Sequence, residues 1–413
     1  MFKHIKSCLK NAFHALLNVK ANRIDKLSKK HFAINIEQCA FHYSSGMVIQ
    51  FNENGHNYFF RLCRKMPKDK SLNSFMIETI RIFLHFNELK DSTYILELSK
   101  QDLKNKKNIS RLKKISSFYA NHFDEMCAGL IPDFSLIGLP SLNKLCFEGE
   151  HVHFLQFLRG SLETFQRNRL TSNNLFLNES ANRTMATKLF ADLLSLNDII
   201  PNVIIGQITI KNESFYGTIM DEAKGRIPAF LAIDERLPYD GNFVKCISNL
   251  EYFDYLCYQT DRRIDNYAVE RKNDGIIHLL SAYDNDQIKT FFSSPFFPNK
   301  MSVASFPILN HKGEINRKYM SIVFYNNLLR LKYADLRNTL SNFLSFFQII
   351  MLYKRITKMK KAVLKTVKHN SSFLVEDKVF FDDYKILPVT PGTYLYVYLN
   401  DTDLLERIKR VGG

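Results

Sequence analysis

The most restrictive feature of this sequence is a polar loop at residues 261–266, read together with what precedes and follows it. The loop reads Asp-Arg-Arg-Ile-Asp-Asn, so that Asp261 and Asn266 stand five residues apart. An apolar stretch at 250–258 precedes it and predicts a helix. Residues 267–280 follow as two short strand patterns with an Asp-Gly turn between them, which predicts a hairpin. The chain should therefore form a helix, a polar loop and a hairpin in that order.

A second acidic segment, Tyr-Asp-Asn-Asp, follows this hairpin, and the combined residue types suit phosphoryl transfer. That reaction needs a carboxylate to orient or deprotonate the attacking group, and oxygen ligands for magnesium ions. We expect Asp261 to fill the first role. Asn266, Asp284 and Asp286 are the candidate metal ligands. Arg263 would stabilise charge on the transferring phosphate.

A structural alternative exists for this loop, because Asp and Asn also cap backbone groups in solvated turns. The same spacing occurs at Asp192 and Asn197, where it lies on an apolar helical pattern and carries no functional signal. The functional interpretation of Asp261 therefore depends on the ordered context and not on the spacing.

In that context the loop resembles the D-R-H-x-x-N loop of phosphatidylinositol 3- and 4-kinases. It is also similar to the catalytic loop of atypical kinase-fold proteins, which include secreted bacterial effector kinases. The segment at 283–286 resembles the I-D-N-D variant of the D-F-G metal motif. A predicted helix at 182–194 resembles a helix of the kinase N-lobe, and 216–225 resembles the last strand and hinge of that lobe. The likeness covers about residues 145–370 and implies ATP and Mg²⁺ as cofactors.

The resemblance also implies a nucleotide site. Hinge residues Asp221, Glu222 and Ala223 would bind the adenine. These kinases carry a strand Lys that grips the phosphates, and the strand-like segment 154–160 offers Arg159 in its place.

Two departures from the family pattern leave alternatives open. Thr184 or Met185 stands where a helix Glu would orient the strand Lys, and no Gly-rich loop is visible. The sequence is therefore also compatible with a pseudokinase, or with another ATP-dependent transferase on the same fold, such as a nucleotidyl transferase.

A rival for the nucleotide-covering strands lies near the N-terminus. Residues 47–51 and 57–62 flank an Asn-Gly pair, which is a hairpin signal, and Arg61 or Lys65 would then be the phosphate grip. About 120 residues separate this hairpin from the helix at 182–194, which is far longer than an ordinary connection.

We therefore expect an α+β chain with a two-lobed, protein-kinase-like fold and an N-terminal extension. Residues 1–145 would form the extension, a strand hairpin plus a helical region. Residues 146–370 would be the kinase-like catalytic domain, including a helical stretch at 322–368. Residues 371–413 would be a small C-terminal strand and helix segment.

Composition constrains the compartment. The seven cysteines are an odd number without a C-x-x-C pair, which predicts reduced thiols in a cytosolic environment. The N-terminal 20 residues form an amphipathic basic pattern without a cleavage site, so a cleavable signal peptide is not expected. The resemblance adds secretion into a host cell by another route, and a host-protein activator. No stretch is long and apolar enough to span a bilayer.

The net charge of +16 favours acidic partners. ATP, a protein or phosphoinositide acceptor and an anionic membrane surface all fit. Nucleic acid is disfavoured, because the basic run at 100–114 lacks interleaved aromatic residues. The leading prediction is a magnesium-dependent phosphotransferase, the second is a pseudokinase or related transferase, and a basic non-catalytic binding module is the third.

Overall fold

The computed structural model describes part of the chain, in segments that fall into two compact units. The described segments are 30–35, 38–43, 47–62, 179–210, 213–225, 227–228, 239–259, 266–283, 308–309, 313–315, 317 and 319–376. Among them, residues 30–62 and 205–219 form the sheet unit, and residues 179–204 and 220–376 form the helical unit. The mixture of helices and sheets confirms the α+β class.

The sheet unit is built on six strands in the order β1-β5-β6-β4-β3-β2. They are β1 (Lys30–Ala33), β2 (Ala40–Tyr43), β3 (Met47–Glu53), β4 (His56–Leu62), β5 (Val203–Ile210) and β6 (Glu213–Asp221). β1 pairs in parallel with β5, and β2, β3 and β4 form an antiparallel meander. The predicted boundary near residue 145 lies outside the described residues, but the sheet joins strands from both sides of it.

The β3–β4 hairpin confirms the Asn-Gly prediction. Asn54 and Gly55 both have positive φ, 53° and 79°, which is the backbone that a tight hairpin turn requires. Gly217 on β6 has no room for a side chain, because a Cβ there would lie 2.2 Å from the carbonyl oxygen of Arg61. Any larger residue would push β6 away from β4.

The helical unit contains five described helices and five short strands. The helices are α1 (Glu179–Leu193), α2 (Gly241–Cys257), α3 (Ile322–Arg330), α4 (Tyr333–Leu340) and α5 (Phe346–His369). The strands are β7 (Ile227–Pro228), β8 (Tyr267–Arg271), β9 (Ile277–Ala282), β10 (Met320–Ser321) and β11 (Leu374–Val375). β7, β8 and β9 form one antiparallel sheet, and β10 pairs in parallel with β11. The predicted helical stretch at 322–368 is thus confirmed as three helices.

Helix α2 is the centre of the helical unit, since it is buried on nearly every side. Tyr252 and Phe253 have no exposed surface, and the ring of Phe253 stacks on Phe190 of α1 at 5.5 Å between centroids. Helix α1, which the sequence likens to an N-lobe helix of kinases, therefore packs into the core of the helical unit.

A buried ion pair fixes the segment before β10 against α2. Arg317 donates to both carboxylate oxygens of Glu251, from Nε at 2.9 Å and from an Nη nitrogen at 3.3 Å. Their side chains are only 4% and 2% exposed. The Tyr252 hydroxyl donates to the carbonyl of Tyr319 at 2.8 Å. Two adjacent residues of α2 thus hold residues 317–319 in place.

Three of the seven cysteines lie in the described residues. Cys39, Cys246 and Cys257 are not in disulfides, and Cys246 and Cys257 are buried. Burial raises the pKa of the Cys246 thiol to about 11, so it stays protonated at neutral pH.

Several predictions fall on residues that the structure does not describe. They are the amphipathic N-terminus, the basic run at 100–114, the strand-like segment 154–160 and the region after residue 376. Within the described part, no helix combines the length and the apolarity that crossing a bilayer would require.

Candidate functional site

The predicted site residues divide between the described and the undescribed parts of the chain. Asn266 and the hinge residues Asp221, Glu222 and Ala223 are described. The remaining candidates lie outside the described residues; they are Asp261, Arg263, Asp284, Asp286 and Arg159. The described residues nearest to the loop and to the acidic segment are Gln259, Asn266 and Tyr283.

The open end of the β8–β9 hairpin brings Asn266 and Tyr283 together. The strands are antiparallel with Tyr267 opposite Ala282, so Asn266 lies opposite Tyr283. The backbone nitrogen of Tyr283 donates to the carbonyl of Asn266 at 3.1 Å. Asn266 ends the Asp261–Asn266 loop, and the residue after Tyr283 is Asp284. Seventeen residues apart in the chain, Asn266 and Tyr283 are direct neighbours in the structure.

The other end of the hairpin is a local turn. Gly275 has φ of 85°, and its backbone nitrogen donates to the carbonyl of Lys272 at 2.9 Å. The backbone nitrogen of Ile276 donates to the Asp274 carboxylate at 3.0 Å, so this Asp-Gly turn chemistry closes the loop locally. The pairing then shifts by one residue between Glu270 and Arg271, and the turn and this irregularity together set Asn266 opposite Tyr283.

The start of the 260–265 loop is also fixed. Helix α2 ends with Tyr258 in the left-handed conformation, and the backbone nitrogen of Gln259 donates to the carbonyl of Asp254 at 2.8 Å. Arg355 of α5 donates from Nε to the carbonyl of Leu256 at 2.7 Å. Its guanidinium lies 5.9 Å from the ring centre of Tyr258, within cation–π range. Backbone hydrogen bonds thus hold the residues on both sides of the loop, Gln259 before it and Asn266 at its end.

The predicted hinge runs along β8. Asp221 donates its backbone N–H to the carbonyl of Asn202 at 3.0 Å, and β7 pairs with β8 a few residues later. Gly225 has φ of 100°, and a Cβ there would meet the backbone of Val269 at 2.4 Å. Only glycine allows the hinge to approach the strand this closely.

The loop after α1 joins the same region. The backbone nitrogen of Ala282 donates to the carbonyl of Ile199 at 2.8 Å, and Lys224 forms an ion pair with Asp198 at 2.5 Å. Because Ala282 is the last residue of β9, the loop, the hinge and the hairpin end converge around the Asn266–Tyr283 pair.

These elements suit a magnesium ion by their donor set. The Asn266 side chain offers an amide oxygen, and two carboxylates follow directly after Tyr283 in the chain. Hard oxygen ligands of this kind are those that Mg²⁺ prefers. Within the described segments no three His, Cys, Asp or Glu side chains are grouped as a metal site would require, so the candidate ligand set depends on Asp284 and Asp286.

The structure gives a role to the Asp192 and Asn197 spacing that has no functional signal in the sequence. Lys188 of α1, only 7% exposed, forms an ion pair with Asp192 and donates to the Asn197 side-chain oxygen at 3.2 Å. This lysine ties the end of α1 to the following loop. The i,i+4 spacing of Lys188 and Asp192 is the sequence signal that could have revealed the ion pair.

A second cluster was not predicted from the sequence. Asp240 caps α2, accepting from the backbone nitrogen of Phe243 at 3.1 Å. Its other carboxylate oxygen accepts from Lys272 at 2.8 Å and from Nδ1 of His278 at 2.5 Å. Burial acts to raise the pKa of Asp240, but these bonds outweigh it and hold the pKa below its ordinary value. An Asp before an apolar helix was the available cap signal.

A comparison of the chain with protein-family models and with curated protein sequences gave no match. The geometry of the site therefore carries the functional argument.

Proposed function

We propose that this protein is an ATP- and magnesium-dependent phosphotransferase that acts on a protein or a phosphoinositide. The observation that supports the proposal is the hydrogen bond between Asn266 and Tyr283, since Asn266 ends the 261–266 loop and Tyr283 directly precedes the 284–286 acidic segment in the chain. A metal motif divided between two chain segments needs such a junction, and a solvated turn does not.

The order of elements supports a two-lobed kinase-like fold with an N-terminal extension. A helix, two strands and a hinge are followed by a central helix, the polar loop, a hairpin and the acidic segment. The described chain divides into a sheet unit and a helical unit, with α1 in the helical unit and β1–β4 in the same sheet as β5 and β6.

The proposal gives a specific role to each candidate site residue. Asp261 would accept the proton of the attacking hydroxyl, as the resemblance of its loop implies. Arg263 would stabilise negative charge on the transferring phosphate. The side chains of Asn266, Asp284 and Asp286 would hold the magnesium ion, which when bound neutralises charge on the triphosphate.

A specific observation also favours a second candidate, a nucleotide-binding protein without turnover. Met185 of α1 is buried in the core at 8% exposure. Asp192, an acid on that helix, forms an ion pair with Lys188 of the same helix. Among the described side chains of α1, the acid is therefore engaged within the helix and not with a strand lysine, which is the contact expected from the resembled family.

Labelling with radioactive ATP separates the two candidates. The purified protein would be incubated with magnesium or manganese, a lysate and phosphoinositides, with and without eukaryotic extract as a source of activator. The proposal expects labelled acceptor, and Asp261→Ala should lose about 10²- to 10⁴-fold of the rate while keeping its ATP affinity. Asp284→Ala should lose magnesium-dependent ATP binding.

The matched control is Asp274→Asn, which removes a carboxylate charge from the opposite end of the same hairpin, keeps an acceptor for the backbone nitrogen of Ile276, and should keep the labelling rate. Binding of ATP by the wild-type protein without labelling under any condition would favour the second candidate. Labelling that is equally fast in Asp261→Ala would show that this loop is not catalytic.

A further inference from the structure

Helix α5 carries a row of exposed lysines along one face. They are Lys354, Lys358, Lys361, Lys365 and Lys368, called here the lysine stripe. Their alternating spacing of four and three residues keeps them on a single side of an α-helix. The stripe is about 21 Å long at 1.5 Å per residue. The opposite side of α5 is buried in the core through Leu352, Ile356 and Met359.

The charge on this helix is not balanced. The 24 residues of α5 include no Asp or Glu, so each lysine of the stripe has like charges three or four residues away. Such pairs destabilise a helix, and exposed helices usually alternate the two signs. Among the described residues, Glu314 is the acid that pairs with the stripe, at 3.1 Å from Lys365. An external anionic surface would relieve the remaining repulsion.

Exposed apolar side chains lie at the edge of the stripe. Three large hydrophobic residues are markedly exposed among the described residues, and two of them, Phe346 and Leu364, are on α5 at 47% and 50% exposure. They are 18 residues apart, which is five full helical turns, so both lie on the same flank of the stripe. The third is Val323, on α3.

We propose that the lysine stripe docks on a lipid bilayer that is rich in acidic headgroups, with Phe346 and Leu364 reaching between them. A straight row of lysines fits a flat anionic surface, and apolar side chains beside it gain from the acyl boundary. Single-stranded nucleic acid would instead favour stacking aromatic residues along a basic groove, and the stripe itself has none. This inference does not depend on the proposed phosphotransferase activity.

Vesicle sedimentation tests the proposal on the full chain. The probe is phosphatidylcholine vesicles with roughly a third phosphatidylserine, compared with pure phosphatidylcholine, in low and high salt. Binding should require the acidic lipid and weaken with salt. Each lysine near such a surface contributes about fivefold to affinity, so replacing Lys354, Lys358 and Lys361 together by Gln should reduce it on the order of 100-fold. The same three positions changed to Arg should keep binding.

The control removes the same charge elsewhere, through the combined variant Arg271→Gln, Arg330→Gln and Arg337→Gln, all at exposed positions outside the stripe. An equal loss in this control would overturn the proposal, because general charge and not the stripe would then drive binding. Leu364→Gln should weaken vesicle binding further and leave any binding to RNA unchanged. Absence of binding to acidic vesicles, or stripe-dependent binding to RNA alone, would also overturn it. Thermal unfolding of each variant checks that α5 remains folded.

Discussion

The backbone nitrogen of Tyr283 donates a 3.1 Å hydrogen bond to the carbonyl of Asn266, one residue beyond the paired ends of β8 and β9. This bond extends the hairpin by one step. Asn266 is itself buried, at 6% exposure, and Tyr283 is the residue directly before Asp284 in the chain.

The first prediction concerns Asn266 as a metal ligand. Asn266→Ala should reduce the affinity for magnesium-ATP by at least about 10-fold, as typical for losses at metal sites, while affinity without magnesium stays the same. Calorimetry with and without chelator measures both. Asn273→Ala, in the exposed turn of the same hairpin, is the matched control. If magnesium dependence is unchanged in Asn266→Ala, this amide is not a ligand.

The second prediction concerns the phosphate grip. The sequence favours Arg159, and Arg61 or Lys65 of the N-terminal hairpin is the rival. Under the proposed function, Arg159→Ala should weaken ATP binding more than Arg61→Ala or Lys65→Ala in a parallel nucleotide titration. A larger loss from Arg61→Ala or Lys65→Ala would show that the rival hairpin supplies the phosphate grip.

Both hairpins were predictable because their signals are local. Asn54-Gly55 and Asp274-Gly275 set the turn geometry within four residues, and the flanking apolar pattern predicts the two strands on either side of each turn. The pairing of β1 with β5 was not predictable, since Lys30 and Gly206 lie far apart in the chain and leave no local mark on the sequence. The sheet therefore joins strands from both sides of the domain boundary predicted near residue 145.

In the candidate site, too, features with a local sequence signal were predictable and features that depend on packing between distant residues were not. The hairpin itself was predictable from its turn, but the pairing of Asn266 with Tyr283 was not, because it also depends on the register shift between Glu270 and Arg271. The bonds of Asp240 with Lys272 and His278 depend on how α2 packs against β9, which a single sequence does not reveal. The role of Lys188 was missed because its partner Asn197 lies beyond the helix end.

The third prediction concerns the buried pair of Glu251 and Arg317. Arg317→Ala should destabilise the helical unit by about 3–5 kcal/mol, because it leaves the Glu251 carboxylate buried without its partner. The double variant Glu251→Met with Arg317→Met should recover much of this loss, since no unpaired charge remains. Urea unfolding measures both. A loss below about 1 kcal/mol in Arg317→Ala would show that water reaches the carboxylate.

The last prediction uses the pH dependence of Asp240. Asp240→Ala should cost about 1–2 kcal/mol at neutral pH through the helix cap alone. Asp240→Asn keeps a cap acceptor and loses the charge that binds Lys272 and His278, so its cost isolates the charged contacts.

The sign of the pH effect follows from the lowered pKa of Asp240. A carboxyl whose pKa is lower in the folded state stabilises the fold above its unfolded value, here the ordinary 3.8, and loses this contribution as pH falls through the folded value. The stability difference between wild type and Asp240→Asn should therefore be full near neutral pH and decline below pH 3.8. Urea unfolding over a pH series measures it, with Asp274→Asn in the exposed turn as the control. A difference that persists undiminished at the lowest pH would mean that Asp240 acts through shape and not through charge.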